Sequence, residues 1–370
     1  MDVDDGALRP LRRQSARRVQ VAQRYEREGL SGLVDRSRAP RRQAAQTPPE
    51  IVAEIVTLRQ QHPTWGPRKL RAWLDRSKPD TSWPACSTIG AILKREGLTK
   101  PRRRRRRLAG AWKPPRTDPD QPNRVWTAVF KGEFRLGCGR LCYPLTVLDA
   151  HSRYLLDCRA LPGTGTAGAR STFERVFREF GLPDVIRTDN GVPFSTSATA
   201  GLSKLAVWWI RLGIRLERIR RRHPEDNGAH ERMHRTLKAE ATRPARRTPP
   251  LQQRTFDRFR IVYNEERPHE AIDMQPPAEL YHPSNRAMPA CLPPLEYPDA
   301  YQTRRINKHG QIRWRSQSYF ISETLRSQTV GLDFRDDGRW NVYFGPALVA
   351  VLNDRDRVVR RIGAKPQRRR

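Results

Sequence analysis

The chain has 370 residues, which at about 100–200 residues per domain allows two to four domains and excludes a lone small module. Lys and Arg number 72 against 39 Asp and Glu, a formal charge of +33 that calls for a polyanionic partner, nucleic acid first, because each paired cation releases condensed counterions. No apolar run approaches the roughly 18 residues of a spanning helix, and the opening MDVDDGALRP is acidic where a signal peptide is basic and then apolar, so a cytoplasmic protein is expected.

Helical periodicity begins in LRRQSARRVQVAQRYEREGLSGL, with Val19, Ala22 and Tyr25 at helical spacing and Gly29 as the stop. Residues 35–49 form a polar, Pro-bearing linker. A second unit opens with Ile51, Ile55 and Leu58, continues through Leu70, Trp73 and Leu74, and ends on Ile89, Ile92 and Leu93 behind a cap at Ser87 or Thr88. Three short helices over 48–100 read as a helix-turn-helix that turns Lys94 and Arg95 toward DNA phosphates or the major groove. An ordinary three-helix bundle with a solvated basic face has the same periodicity. Residues 101–123 are a linker with six consecutive arginines at 102–107, and Arg102, Arg103, Arg104 and Arg105 can track a duplex backbone.

From 124 to 285 the pattern is a mixed α/β domain. RVWTAVF, LCYPLTVLDA and YLLDCRALP read as an antiparallel meander, AGARSTFERVFREFG as a helix ended by Gly181, PDVIRTDNG as a short strand and KLAVWWIRLGI as an apolar helix. That order is the ribonuclease-H-like one. NGAHERMHRTLKAEATR and RTFDRFRIVYNEERPHEAI follow as helices, and residues 286–300 are a Pro-rich linker. Short strands in INKHGQIRWR, QSYFIS, TVGLDFRDDGRWNVYFG and ALVAVLN, with a hairpin signal at Asp336, Asp337 and Gly338, predict a small β-barrel over 301–360 before a basic tail at 361–370.

Two carboxylates stand out. Asp189 ends a strand in RTDNG, and Glu231 lies in a helix with Asn227, Arg235 and Lys238 on its own face. Such a carboxylate can hold a hard cation while Arg235 and Lys238 hold the phosphates of a substrate strand, although intrahelical salt bridges explain the same spacing. His230 and His234 have zinc-ligand spacing, i and i+4, without a third ligand in view. Trp208 and Trp209 read as core, His269 as a pin for the terminal helix, and Cys138 and Cys142 as strand neighbours that pack. Cys86, Cys158 and Cys291 complete an odd, scattered set that fits a reducing compartment.

Long ordered segments then carry a resemblance: YPLTVLDAHSRYLL (143–156), FREFGLPDVIRTDNGVPF (177–194), WWIRLGIRLERIR (208–220), NGAHERMHRTLKAE (227–240) and YNEERPHEAI (263–272). Together they resemble the DDE-type insertion-sequence transposases that share the retroviral integrase core. The resemblance implies a multidomain α/β protein: a helix-turn-helix, a ribonuclease-H-like core and a small β-barrel. It implies metal-dependent cleavage of DNA ends and strand transfer through two divalent cations, Mg²⁺ or Mn²⁺, held by three carboxylates. Asp189 and Glu231, with 41 residues between them, match the second and third of these as catalytic groups and metal ligands. Lys94, Arg95, Arg102 to Arg105, Lys131, Arg235 and Lys238 are the expected DNA contacts. Self-association on DNA and a place at the nucleoid follow from the same resemblance.

The first family carboxylate is missing. In Trp126-Thr127-Ala128-Val129-Phe130-Lys131-Gly132, Val129 occupies its position, so two dications would face roughly two negative charges and bind weakly. Asp149 matches a family position of its own, and Glu133 follows a glycine and points elsewhere. Residues 1–34 resemble a shortened N-terminal DNA-binding remnant. The function expected is therefore an impaired transposase, with an inactive descendant that binds element ends as competitor or repressor as the alternative. A generic basic nucleic-acid binder is a further reading of the arginine run alone.

Overall fold

A computed structural model describes residues 8–34, 47–99, 116–220, 227–336 and 338–363. The chain divides into two compact units, Met1–Glu50 and Ile51–Arg370. The first holds a 21-residue helix, α1 (Leu8–Glu28), followed by a 3₁₀ turn over Gly29–Leu33. Its helical period is as expected, but Val19 and Tyr25 are exposed. The stop falls at Gly29, whose φ of +63° a glycine adopts without strain.

Helices α2 (Pro49–Gln61), α3 (Pro67–Ser77) and α4 (Cys86–Arg95) follow. Their apolar stripes meet in one cluster of Ile55, Leu58, Trp65, Leu70, Leu74, Trp83, Ile89, Ile92 and Leu93, which leaves Lys94 and Arg95 exposed. Ser87 and Thr88 do not cap α4: the N-cap is Ala85, and the helix starts one residue before Ser87. The three helices rest on the following domain through polar contacts. Glu240 accepts from Thr64 and, at 2.7 Å, from Arg267; Arg76 pairs with Glu279; and Lys69 donates to the Pro268 carbonyl, its pKa pulled down to about 8 by burial.

The central domain is a sheet between two helical layers. Its strands are β1 (Val125–Phe130), β2 (Phe134–Arg135), β3 (Leu141–Asp149), β4 (Leu155–Leu161), β5 (Val185–Thr188) and β6 (Arg215–Arg218). They run in the order β2-β3-β1-β5-β6, with β4 beside β3. The β1–β3–β4 meander is antiparallel, whereas β5 and β6 join parallel to β1. Strand β6 has no counterpart in the sequence pattern, because four residues with three charges have no apolar alternation. Helices α5 (Thr166–Phe180) and α6 (Lys204–Arg211) cover the face of Trp126, Ala128, Leu145 and Val147. Helices α7 (Gly228–Ala241) and α8 (Pro249–Ile261) cover the face of Leu148, Leu155 and Cys158. With helices on both faces, β1 is buried nearly throughout. Gly181 closes α5 at φ +75°, where a Cβ would stand 2.6 Å from the Ser284 carbonyl.

Helix α8 starts five residues before the expected Arg254 and ends at Ile261, passing into a π turn over Val262–Glu266. Pro249 at its first turn fits because the missing N–H has no partner there. It also closes the free edge of β4. The Asn264 amide accepts from Leu155 N at 2.8 Å and donates to Leu155 O at 3.0 Å, while Gln253 does the same for Ala160 N and Cys158 O. These side-chain amides stand in for a neighbouring strand and protect the edge from other chains. Asn264→Ala leaves a buried donor and acceptor on β4 unpaired and is expected to cost about 2–3 kcal/mol in urea unfolding. A loss near zero would mean that water replaces the amide there.

The C-terminal strands are β7 (Gln302–Arg305), β8 (Gln311–Trp314), β9 (Gln317–Phe320), β10 (Thr329–Phe334), β11 (Arg339–Phe344), β12 (Ala347–Asn353) and β13 (Val358–Arg361). They do not close into the expected barrel. An antiparallel sheet runs β13-β12-β11-β10-β7, and β8–β9 is a separate two-stranded sheet. The expected hairpin joins β10 to β11, with Arg339 N donating to Asp336 O and Gly338 at φ +77°. Nor are residues 286–300 a plain linker, since Tyr297 donates its hydroxyl to Thr329 O at 2.9 Å and accepts from Gly345 N. Helix α6 carries two apolar stripes: Leu205, Trp208 and Trp209, with Leu212 at the C-cap, enter the central core, and Ala206, Val207 and Ile210 enter the core of the C-terminal sheet. Among the described residues no helix is long and apolar enough to cross a membrane.

Candidate active site

The site sits where β1 and β5 run side by side. Their parallel register pairs Ala128 with Thr188, so the next step along both strands brings Val129 beside Asp189. Val129 is 9% exposed and shares a sheet face with Thr127 and with its cross-strand partner Thr146. Asp189 opens the turn after β5, half-buried, and its Oδ1 accepts from Gly191 N at 2.9 Å. Burial raises the Asp189 pKa, and the Gly191 hydrogen bond partly offsets this.

Glu231 lies in the first turn of α7, exposed, where a carboxylate is favoured by the helix dipole. Arg235 and Lys238 are exposed further along the same helix, and Lys131 is half-buried just past β1, its N–H bonded to Pro144 O at 2.8 Å. Arg102, Arg103, Arg104 and Arg105 lie outside the described residues. Glu133 is exposed in the loop beyond β1.

Asp149 ends β3 opposite Trp126, which lies three residues before Val129 on β1 and hence on the other face of the sheet. It is fully buried and accepts from Asn123 N, Ser152 N and the Ser152 hydroxyl at 2.6–2.8 Å. Those bonds make Asp149 a structural anchor for the β3–β4 turn.

The histidines of α7 are the main surprise. His230 and His234 are buried and contact threonine hydroxyls: His230 Nδ1 lies 2.8 Å from Thr127 Oγ1, and both Nε2 atoms lie 2.7–2.8 Å from Thr146 Oγ1. Their spacing reads as a metal pair in the sequence, yet those nitrogens face hydroxyls. Cys138 is exposed in a turn rather than packed, while Cys142 is buried on β3. His269 Nε2 reaches Tyr263 O at 3.2 Å, pinning the chain after α8.

Burial holds His230 and His269 at a pKa of about 3. The unfolded chain takes up protons on both near pH 6.5 while the folded chain does not, so their contribution is complete above pH 6.5 and is lost as pH falls toward 3. Burial pulls His234 down in the same way, while Asp149, Asp157 and Asp189, raised by burial, act in the opposite sense. Between pH 7 and pH 5.5 the three histidines alone remove about 3–4 kcal/mol of stability. Urea midpoints at the two values measure it, and His269→Gln is expected to remove about a third of the histidine drop. Equal midpoints would contradict the burial of these rings as neutral bases.

A two-cation centre of the implied kind does not fit the side chains present. Val129 presents methyl groups at the position where the family resemblance implies an oxygen, and among the described residues no three His, Cys, Asp or Glu are grouped to hold a metal ion. Of the three carboxylates that resemblance implies, only Asp189 and Glu231 are present, and they would set two negative charges against the four positive charges of two dications.

The sequence matches the homeodomain-like domain over residues 19–93 and the integrase core domain over residues 119–224 and again over 212–277. The first match runs across residues 35–49, whose composition is that of a linker. An uncharacterized 31.7 kDa protein of insertion element IS407 from Burkholderia multivorans is 26% identical over 231 residues, covering 62% of this chain and 80% of that protein. The Gag-Pol polyprotein of baboon endogenous virus is 30% identical over 138 residues, 36% of this chain and 8% of the polyprotein. The HTLV-2 integrase catalytic core domain in complex with magnesium overlays with a TM-score of 0.36 at 15% identity, over 44% of this chain and 98% of that one. The integrase core matches span the strands and helices that carry Val129, Asp189 and Glu231. With a homeodomain-like match ahead of that core, the chain carries an integrase core domain and is similar to the DDE transposases and integrases.

Proposed function

We propose that this chain binds double-stranded DNA at the ends of a mobile element and that its cleavage and strand-transfer chemistry is impaired at Val129. The observation that carries this reading is the β1–β5 register, which sets an isopropyl group beside Asp189. Asp189 and Glu231 are the groups that would contact a Mg²⁺ or Mn²⁺ ion. An ion held there would supply the Lewis acidity that in-line phosphoryl displacement needs at the attacking and leaving oxygens. Here Arg235, Lys238 and Lys131 supply cations for phosphates, and α4 presents Lys94 and Arg95. Two ends must be held at once, which favours a homo-oligomer on DNA, working at the nucleoid.

The test is binding and nicking of DNA carrying the element's own ends. Binding is expected to survive about 10³-fold excess unrelated duplex, with Mg²⁺-dependent nicking at least about 10²-fold below that of Val129→Asp. Loss of binding under competitor would reduce the chain to a generic basic binder, and equal nicking would remove Val129 as the cause. Lys94→Ala and Arg95→Ala are each expected to lower the salt slope of binding by about 1. Slopes unchanged in both would place α4 away from the phosphates.

A second reading is an inactive descendant that competes with or represses intact copies. Its supporting observation is the uneven loss: the α2–α4 core is complete while the site lacks a carboxylate. Val129→Asp separates the two, because a chain decayed at several points gains no activity from one carboxylate.

A further inference from the structure

We infer that His230, His234, Thr127 and Thr146 form a buried polar clip that sets the position of Glu231 against strand residue 129. The inference rests on the reading of Glu231 as a site carboxylate, and makes the histidines positioning residues. Thr146 Oγ1 is within 3.0 Å of three groups: Val129 O, His230 Nε2 and His234 Nε2. A hydroxyl has one proton and a carbonyl only accepts, so three hydrogen bonds exist together in one arrangement. Thr146 donates to Val129 O, and both imidazoles donate their Nε2–H to Thr146. His230 Nδ1 is then an acceptor for the Thr127 hydroxyl, 2.8 Å away, and that proton is withdrawn from the longer 3.3 Å contact of Thr127 with Leu148 O. These tautomers follow from the network rather than from visible hydrogens.

The network ends on the backbone of residue 129 itself. Thr127 lies two residues before it on the same face, and Thr146 is its cross-strand partner. On α7 the two imidazoles precede Glu231 by one residue and follow it by three, about 100° and 60° around the helix. Glu231 therefore stands at the rim of the buried face, exposed, while its neighbours fix the rotation and axial position of the helix. Met233 and Leu237 supply the apolar contact on that face, but apolar packing tolerates sliding that a directional clip does not.

In the chain as it stands, ¹⁵N spectra of histidine-labelled protein at pH 7 are expected to show both rings neutral and protonated at Nε2. Thr146→Val, which keeps the shape and removes the hydroxyl, is expected to speed amide exchange at Glu231 and Met233 by about 10-fold and leave Leu237 and Ala241 unchanged. Thr127→Val, which removes one contact, is expected to have a smaller effect, and His234→Gln, which retains an N–H donor, to restore most of the protection lost in His234→Ala. Rings protonated at Nδ1, or exchange unaltered by Thr146→Val, would overturn the clip. In a Val129→Asp background, Thr146→Val is expected to weaken Mn²⁺ binding about 10-fold, with no further loss when Glu231 is already Gln. If Val129→Asp binds no Mn²⁺ while the exchange result holds, the clip stands and the metal-site reading fails. If Mn²⁺ binds and Thr146→Val alters neither affinity nor exchange, the clip fails and the site reading stands.

Discussion

Val129→Asp is expected to melt lower than the natural chain in EDTA and to recover on addition of Mg²⁺ or Mn²⁺. The new carboxylate enters a position that is 9% exposed and stands beside Asp189, whose own pKa burial already raises. Desolvation and like-charge repulsion together cost about 2–4 kcal/mol. For a unit of this size that is about 5–10 °C of melting temperature. A cation that binds only the folded site returns about 2.7 kcal/mol at a hundred times its dissociation constant. The same substitution is expected to raise metal-dependent nicking by at least about 10²-fold. A variant that melts alike with and without metal would show that residue 129 does not face a cation site.

The second large effect lies in α6, which serves two cores with adjacent residues. Trp209 packs edge-on against Phe173, with ring centroids 4.7 Å apart, and lies near Phe194; Ile210 is part of the apolar core of the C-terminal sheet, which also holds Phe344 and Val349. Trp209→Ala is expected to cost about 3–5 kcal/mol and Ile210→Ala about 2–5 kcal/mol. The two differ in where the loss appears. Amide exchange should rise in β1 and β5 for Trp209→Ala, and in β10 to β12 for Ile210→Ala with the central strands unchanged. Identical exchange maps would mean that the two cores unfold as one, and that α6 does not divide them.

Much of this fold is legible in the sequence because its apolar residues keep strict periods. Ile55, Leu58, Leu70, Leu74, Ile89 and Leu93 are buried as their helical spacing requires, and the β1–β3–β4 meander follows from three apolar runs divided by turn residues. The open C-terminal sheet was not legible, since strand spacing predicts strands but not which edges meet, and the exposed β7 and charged β13 carry no alternation of their own. The motifs single out Asp189 and Glu231, and Val129 by what is missing from one of them. The Thr127, Thr146 and histidine network lies outside that reach. It joins residues 84–103 positions apart, and threonine on a strand and histidine on a helix have no spacing that signals a pair. The amides of Gln253 and Asn264 on the β4 edge are hidden for the same reason.

Direct measurement of Mn²⁺ binding by electron paramagnetic resonance tests the central claim, that Val129 stands in a ligand position beside Asp189. Three proteins suffice: the chain as it stands, Val129→Asp, and Val129→Asp with Asp189→Asn. The account predicts weak binding to the first, binding at least about 10-fold tighter to the second, and loss of that gain in the third. Tight binding to the natural chain that Asp189→Asn abolishes would contradict it, because the metal site would then be complete without a carboxylate at residue 129.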